Sequence, residues 1–224
     1  MATVVPVMAE LFEEAFERAG VEMRSGYDLK TARRSLNLLT LEWQNRGLNL
    51  FTIEAGTIPL VAGTATYSMP ADTIDLLEHS VRTGTGTSQR DTTLERVSVS
   101  TYARQSSKNM AARPSQVFMQ RLATEVTVTV WPVPDAAESY TLSYFRLKGI
   151  DGISSGIGGA VTSVPPRFVP ALVAGLAYMI AVKKPKGADR ALLLKQAYDE
   201  QFDMAAGEDR ERASSFFRPG GYHG

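Results

Sequence analysis

The sequence contains no cysteine and only two histidines, His79 and His223, among its 224 residues. Without cysteine, the chain has no disulfide, no thiolate nucleophile and no zinc site built from cysteine ligands, which is consistent with assembly in a reducing cytoplasm. A His-based triad or zinc site needs further ligands that converge on the histidine. His79 lies in an apolar stretch and His223 lies next to the last residue, so we expect no metal site and no histidine catalysis.

A net charge is also absent, because 24 Lys and Arg residues balance 24 Asp and Glu residues. Proteins that coat DNA carry a basic excess, since their affinity comes mainly from neutralising phosphates. Arg33, Arg34 and Arg46 could reach phosphates, but no aromatic residues are interleaved with them as in a single-strand binder. We therefore predict no tight DNA binding and interpret these arginines as partners in ion pairs between subunits.

Phosphate-binding loops are missing as well. Residues 83–88 and 152–159 are rich in glycine with threonine or serine. Neither matches Gly-x-x-x-x-Gly-Lys-[Ser/Thr], and neither places Gly-x-Gly-x-x-Gly between a strand and a helix. The sequence thus predicts no nucleotide and no other cofactor.

Two pairs of carboxylates leave a glycan hydrolase open as an alternative function. Glu13 and Glu14 face out of an amphipathic helix, whereas Asp72 and Asp75 follow Pro70 at a turn that enters a strand. A solvated surface is the simpler explanation for both pairs. We therefore predict no catalytic residue and no enzymatic activity.

The residues that are present are typical of a folded protein, with 44% hydrophobic and 21% charged residues. The length suits one large domain or one domain with a second domain inserted. The first ten residues lack a basic segment followed by an apolar one, so we expect no signal peptide. The most apolar run, residues 168–182, is shorter than the roughly 20 residues of a membrane-spanning helix, and it predicts a buried helix and no membrane partner.

Two amphipathic helices are predicted near the start of the chain. The first ends at Gly20 and carries an acidic outer face, and the second begins at an N-cap, Asp28, ends near Gly47 and carries a basic face. Residues 1–22 sum to a charge of −4 and residues 23–47 to +3. These opposite charges favour packing of the two helices on each other or between neighbouring subunits. The apolar stripes are Met8, Leu11, Phe12, Ala15, Phe16 and Ala19 in the first helix, and Leu29, Ala32, Leu36, Leu39 and Trp43 in the second.

The middle of the chain changes to a period of two. Short β-branched or aromatic runs separated by Gly and Pro predict strands and a β-sandwich or small barrel. Residues 83–88 are predicted to form a loop and residues 100–106 a short helix. The predicted strands cover residues 50–53, 58–61, 64–68, 74–82, 94–99, 116–119, 125–131 and 139–147.

Helices return after a Gly- and Ser-rich loop at residues 149–160. Pro165 and Pro166 start a long helix that is apolar on every side, which indicates burial on most sides. Pro185 ends it, and residues 189–206 form a final helix. We therefore predict an α+β fold: a helical bundle from residues 1–49 and 161–208 with an inserted β-sandwich-like domain at residues 50–160.

The last segment, residues 209–224, is predicted to be an extended C-terminal tail. Its aromatic residues Phe216, Phe217 and Tyr222 are each worth roughly 1.5 to 3 kcal/mol on full burial. A frayed terminus and a tail that docks on a partner explain this composition equally well.

Four segments, taken together and in order, resemble the head-to-tail adaptor (connector) proteins of tailed phages, the group that includes tail tubular protein A and related tail accessory factors of short-tailed phages. They are TARRSLNLLTLEWQNRG at residues 31–47, GTATYSMPADTIDLLEHSVR at 63–82, VTVWPVPDAAESYTLSYFRL at 128–147 and PPRFVPALVAGLAYMIAVKK at 165–184. The second contains a Gly-x-x-x-Tyr-x-x-Pro-x-Asp pattern and the third a Trp-Pro-x-Pro turn. No catalytic motif contributes to the resemblance.

The resemblance implies a structural virion protein at the head–tail junction, assembled in the host cytoplasm. Such proteins form a homo-oligomeric ring, usually of twelve copies, that binds the portal protein on one side and a tail nozzle or tail tube protein on the other. Viral DNA passes through the ring without specific binding. Another tail-completion or baseplate component and a tail-associated glycan hydrolase remain as alternatives.

Two sets of residues are expected to carry these contacts. The resemblance implies that the C-terminal tail reaches the portal, through Phe216, Phe217, Arg218 and Tyr222. Charged helix faces and the apolar third long helix are expected to form the interface between subunits. The interface residues are Glu13, Glu17, Arg33, Arg34, Leu172, Leu176 and Met179.

Overall fold

A computed structural model describes residues 7–24, 26–46, 50–150 and 164–209. Helices near both ends of the sequence flank a β-rich middle segment, which confirms the predicted α+β class. The chain divides into two compact units, one formed by Met1–Leu39 with Ser155–Gly224 and the other by Thr40–Ser154. In chain order the elements are α1 (Met8–Arg18), α2 (Gly26–Arg46), β1 (Ile53–Leu60), β2 (Thr66–Ser68), β3 (Thr73–Thr83), β4 (Arg90–Thr93), β5 (Glu95–Arg96), α3 (Val99–Arg104), β6 (Gln116–Arg121), β7 (Val126–Trp131), β8 (Tyr140–Lys148), α4 (Val169–Lys183) and α5 (Ala191–Glu208).

Helix α1 forms as its sequence predicts. Its apolar stripe is buried, and the helix ends where Gly20 takes a left-handed conformation with φ of 70°. α1 packs against α4 in the first unit. Its acidic residues lie on the opposite, exposed side.

Helix α2 begins at Gly26, two residues before the predicted N-cap. Asp28 lies in the first turn and is buried, and its carboxylate accepts a hydrogen bond from the backbone amide of Arg24 at 3.1 Å. The same carboxylate pairs with Lys184 at 2.6 Å. Asp28 therefore ties the start of α2 to the end of α4. The predicted end at Gly47 lies outside the described residues.

Helix α4 is the core of the first unit. Pro166–Phe168 form a 3-10 turn before it, and Pro185 follows its end, as the two proline signals predict. A Cβ atom on Gly175 would lie 2.9 Å from the Tyr198 ring and 3.0 Å from Leu39, so α4 needs a glycine there. Pro166–Lys183 is long and apolar enough to cross a membrane by length and composition. Its burial against α1 and α5 accounts for the same composition.

The second unit contains two four-stranded sheets, in the orders β1-β8-β3-β4 and β2-β7-β6-β5. All pairs are antiparallel except β5 with β6. Side chains from both sheets form one core, which confirms the predicted sandwich-like insertion. This core includes Leu76, Val81, Leu142 and Tyr144 of the first sheet and Val117, Val128 and Val130 of the second.

Strand β1 corrects one sequence-based prediction. The sequence predicts two short strands broken at Gly56, but β1 is continuous and pairs with β8 from Ile53 to Leu60. Gly56 lies under the ring of Tyr144, where a Cβ atom would approach to 2.5 Å. Pro59 is tolerated because β1 is an edge strand, and no second neighbouring strand needs the backbone donor that proline lacks.

Smaller differences occur between residues 90 and 104. The predicted strand at 94–99 is replaced by two short strands, β4 and β5, one in each sheet. The short helix α3 starts at Val99 because the Ser98 hydroxyl caps it by accepting the Thr101 amide at 3.2 Å.

Two ionic clusters hold the second unit together. Arg146 is buried and donates hydrogen bonds to Asp72 at 2.6 Å, to Thr73 at 2.8 Å and to Glu54. Hydrogen bonds from Arg146 lower the pKa of Asp72, although burial opposes the shift. Asp75 of β3 pairs with Arg96 at 2.8 Å and Arg121 at 2.5 Å, both from the other sheet. The second cluster therefore links the two sheets.

Candidate functional site

Chemistry-bearing side chains do not converge in the part of the chain that the structure describes. Within those ranges, no group of three or more His, Asp or Glu residues could hold a metal ion. Both ring nitrogens of His79 are buried without a hydrogen-bond partner. Burial first, and the charge of Arg96 second, lower the pKa of His79. His79 is half-buried on β3 beside the exposed Glu78, and its lowered pKa favours the neutral form of the ring.

A concave surface of about 600 Å³ lies on the sheet β1-β8-β3-β4. Its charged residues include Arg82 and Asp91, which pair with each other at 2.8 Å. Glu78 and His79 of β3 also line this surface, and the remaining residues are mainly Ala, Gly, Thr and Ser, with Tyr144 and an exposed Phe145.

The first unit carries a groove of about 450 Å³ between α2 and the end of α4. Tyr27 and Leu38 form its apolar part and are 66% and 55% exposed. The rest of the lining is Thr31, Arg34, Lys183 and Lys184. The groove thus combines exposed apolar side chains with three cationic groups.

The positive charge of the groove is only partly compensated. Lys184 pairs with the buried Asp28, whereas the Lys183 ammonium donates to the Ser35 hydroxyl at 2.7 Å. Within the described ranges, neither Lys183 nor Arg34 forms an ion pair with a carboxylate. Burial, followed by the charge of Arg34, lowers the pKa of Lys183. A carboxylate placed in the groove would relieve this repulsion.

Helix α5 presents the opposite chemistry on its outer face. Leu192 and Leu193 are 74% and 68% exposed, and Met204 is also exposed. Glu200 and Asp203 are exposed between these leucines and Met204, about two to three turns after the leucines. This face, defined here as the α5 outer face, is apolar and acidic.

Comparison with known protein families identifies the family of this chain. The SU10 adaptor protein family model matches residues 9–220, which is nearly the whole sequence. The chain belongs to the SU10 adaptor protein family. This confirms the resemblance to head-to-tail adaptor proteins of tailed phages, and the family is one of structural proteins.

Comparisons with curated sequences and with solved structures add no argument about function. Curated protein sequences give no significant match. One similar solved structure is a chain from the neck of an empty GTA particle computed with C6 symmetry, with 10% sequence identity and a TM-score of 0.28 over 88% of this chain and 92% of that chain. The family assignment therefore rests on the sequence model.

The charged residues of the predicted subunit interface are exposed or half-buried. Glu13 and Glu17 are exposed on α1, and Arg34 is exposed and Arg33 half-buried on α2. Among the described residues, these glutamates form no ion pair with these arginines. Ion pairs of these residues with neighbouring subunits therefore stay a prediction.

Two predicted interface residues need correction. Leu172 and Leu176 are each 1% exposed, because α4 is enclosed by the other helices of its own unit. Their side chains are not available to a neighbouring subunit. Met179 is half-buried and stays in the proposed interface. The tail residues Phe216, Phe217, Arg218 and Tyr222 lie outside the described residues.

Sequence reasoning missed the groove and the α5 outer face. A signal for both was present, because Leu38 falls outside the apolar stripe of α2, and Leu192 and Leu193 fall outside that of α5. Apolar residues out of phase with a buried stripe mark an exposed apolar surface.

The Gly-x-x-x-Tyr-x-x-Pro-x-Asp pattern at residues 63–72 has a structural role in this adaptor. Gly63 has φ of 80° in the turn after β1, and the Tyr67 hydroxyl accepts from the Val61 amide and donates to the Thr64 carbonyl, both at 2.8 Å. Asp72 binds Arg146. The motif therefore stabilises the β unit.

Proposed function

We propose that this adaptor forms a closed ring of twelve copies between the portal and the tail of a phage virion, where it extends the DNA channel. The observation that carries the proposal is the family match over residues 9–220. The balanced net charge supports passage of DNA without tight binding.

The proposed ring contacts use the charged faces of the first unit. Glu13 and Glu17 of one copy and Arg33 and Arg34 of another can pair, with Met179 contributing apolar contact. Each exposed pair contributes only about 0 to 1 kcal/mol, so the charges select the orientation of neighbours more than they supply affinity.

The C-terminal tail is proposed to hold the portal through Phe216, Phe217, Arg218 and Tyr222, and the β unit to meet a tail nozzle or tube protein.

Electron microscopy of the protein mixed with its portal tests the proposal. We expect a twelvefold ring below the portal, and binding only to the distal end of the tail would contradict it. A chain truncated after Asp209 tests the tail separately, because it keeps the contact between Arg167 and Asp209. This truncated chain should lose portal binding, and unchanged binding would exclude the tail from the contact.

A further inference from the structure

Two surfaces of the first unit are complementary and share no residue. The groove is apolar and basic, through Tyr27, Leu38, Arg34 and Lys183. The α5 outer face is apolar and acidic, through Leu192, Leu193, Glu200 and Asp203.

Neither surface is covered by the described part of its own chain. Exposed apolar patches flanked by uncompensated charge are typical of protein contacts. Burial of Leu192, Leu193, Leu38 and Tyr27 supplies affinity, at about 25 cal/mol per Å² of apolar surface. Carboxylates at Glu200 and Asp203 neutralise the like-charged pair of Arg34 and Lys183.

We infer that the α5 outer face of one copy docks in the α2 groove of the next copy. Because the two patches differ, the contact is heterologous, and a pair of copies keeps one free groove and one free α5 outer face. Repetition of such a contact generates a ring when the rotation closes and a filament when it does not. The inference rests on the proposed ring and names the surfaces that build it, with Glu200 and Asp203, in place of Glu13 and Glu17, as the partners of Arg34.

Chemical cross-linking tests the pairing, and the absence of native cysteine makes every introduced thiol unique. A short bifunctional maleimide is applied to full-length Leu38→Cys mixed with full-length Leu193→Cys. We expect a dimer in the mixture and none from either variant alone. The matched control is Val61→Cys, which is 60% exposed in the second unit, mixed with Leu193→Cys.

Reversing the charges of the groove and of the α5 outer face tests whether these two surfaces face each other. Arg34→Glu with Lys183→Glu should lower the dimer yield about ten-fold, since reversed charges at a partly desolvated contact cost roughly 1.4 kcal/mol. Glu200→Lys with Asp203→Lys in the partner should restore the yield. Rescue of this kind requires that these two patches face each other.

Several results would overturn the inference. Leu38→Cys that dimerises alone would indicate groove against groove, and a yield no higher than the Val61→Cys control would exclude the contact. Slow labelling of Leu193→Cys in the monomer would show that the chain covers its own α5 outer face. Protection of Leu38→Cys by duplex DNA and not by a second copy would assign the groove to DNA.

The two proposals fail in different ways. Rings below the portal without the specific cross-link would leave the proposed function intact and exclude this pairing. The specific cross-link with filaments and no portal-bound ring would support the pairing and contradict the proposed function.

Discussion

The two units of this adaptor differ in how fully they compensate their charges. In the β unit, Arg146 and Asp75 are centres of ionic clusters that satisfy charges within the chain. In the helical unit the buried Asp28 pairs with Lys184, but Arg34 and Lys183 lack a carboxylate partner within the described ranges. The ionic clusters of the β unit therefore stabilise its fold, whereas two cations of the helical unit stay available for contacts.

The largest expected effect comes from breaking the buried cluster of the β unit. Arg146→Met should lower the free energy of unfolding by about 3 kcal/mol, because it removes the charge-assisted hydrogen bonds of a buried guanidinium to Asp72 and Glu54 and its bond to Thr73. The measurement is denaturant unfolding followed by tryptophan fluorescence, since both Trp43 and Trp131 belong to the second unit.

Arg82→Met is the matched control, because Arg82 pairs with Asp91 on the exposed face of the same sheet. It should cost at most about 1 kcal/mol. Equal losses for the two variants would contradict the distinction between buried and exposed pairs.

A smaller effect is expected from overpacking the helical unit. Gly175→Ala should destabilise it by about 2 kcal/mol, since the new methyl group would approach Tyr198 and Leu39 too closely. Gly207→Ala in α5 meets no atom within 4 Å and should stabilise the helix by about 0.5 kcal/mol. Circular dichroism at the helical band during thermal unfolding gives both values. Destabilisation by both variants would show that space around Gly175 is not the cause.

The smallest expected effect is a pH dependence of stability, which arises in the β unit from His79. The pKa of His79 is lowered in the folded β unit, so below the ordinary value of 6.5 the unfolded chain binds the proton more readily. Stability is therefore full above this pH and falls as the pH decreases, by at most about 1.4 kcal/mol per pH unit.

His79→Leu should remove this slope between the ordinary histidine pKa and the region where carboxylates titrate. The same tryptophan signal measures it across a pH series. A wild-type slope that persists unchanged in the variant would assign the proton to another group.

Helix periodicity was sufficient to predict the four long helices and the α+β class. The stripe from Met8 to Ala19 and the prolines around α4 act locally, so their signals are readable in a single sequence. Strand β1 could not be predicted as continuous, because the reason Gly56 is tolerated is the Tyr144 ring on a strand far away in the chain.

Burial of α4 illustrates the same limit for function. Its apolar composition correctly predicted a buried helix but not what buries it, so Leu172 and Leu176 were placed at a subunit interface. The structure encloses them within their own unit.

The sequence by itself determined the helices, the sandwich-like insertion, the family and the absence of cysteine chemistry, because these depend on composition and on neighbours along the chain. Only the tertiary structure decided which apolar residues stay outside. Ser35 and Lys183 meet across 148 residues, and the groove with its uncompensated charge exists only once they do. Exposure and charge compensation depend on packing between residues that are distant in the sequence. A docking surface depends on both and is therefore decided by the tertiary structure.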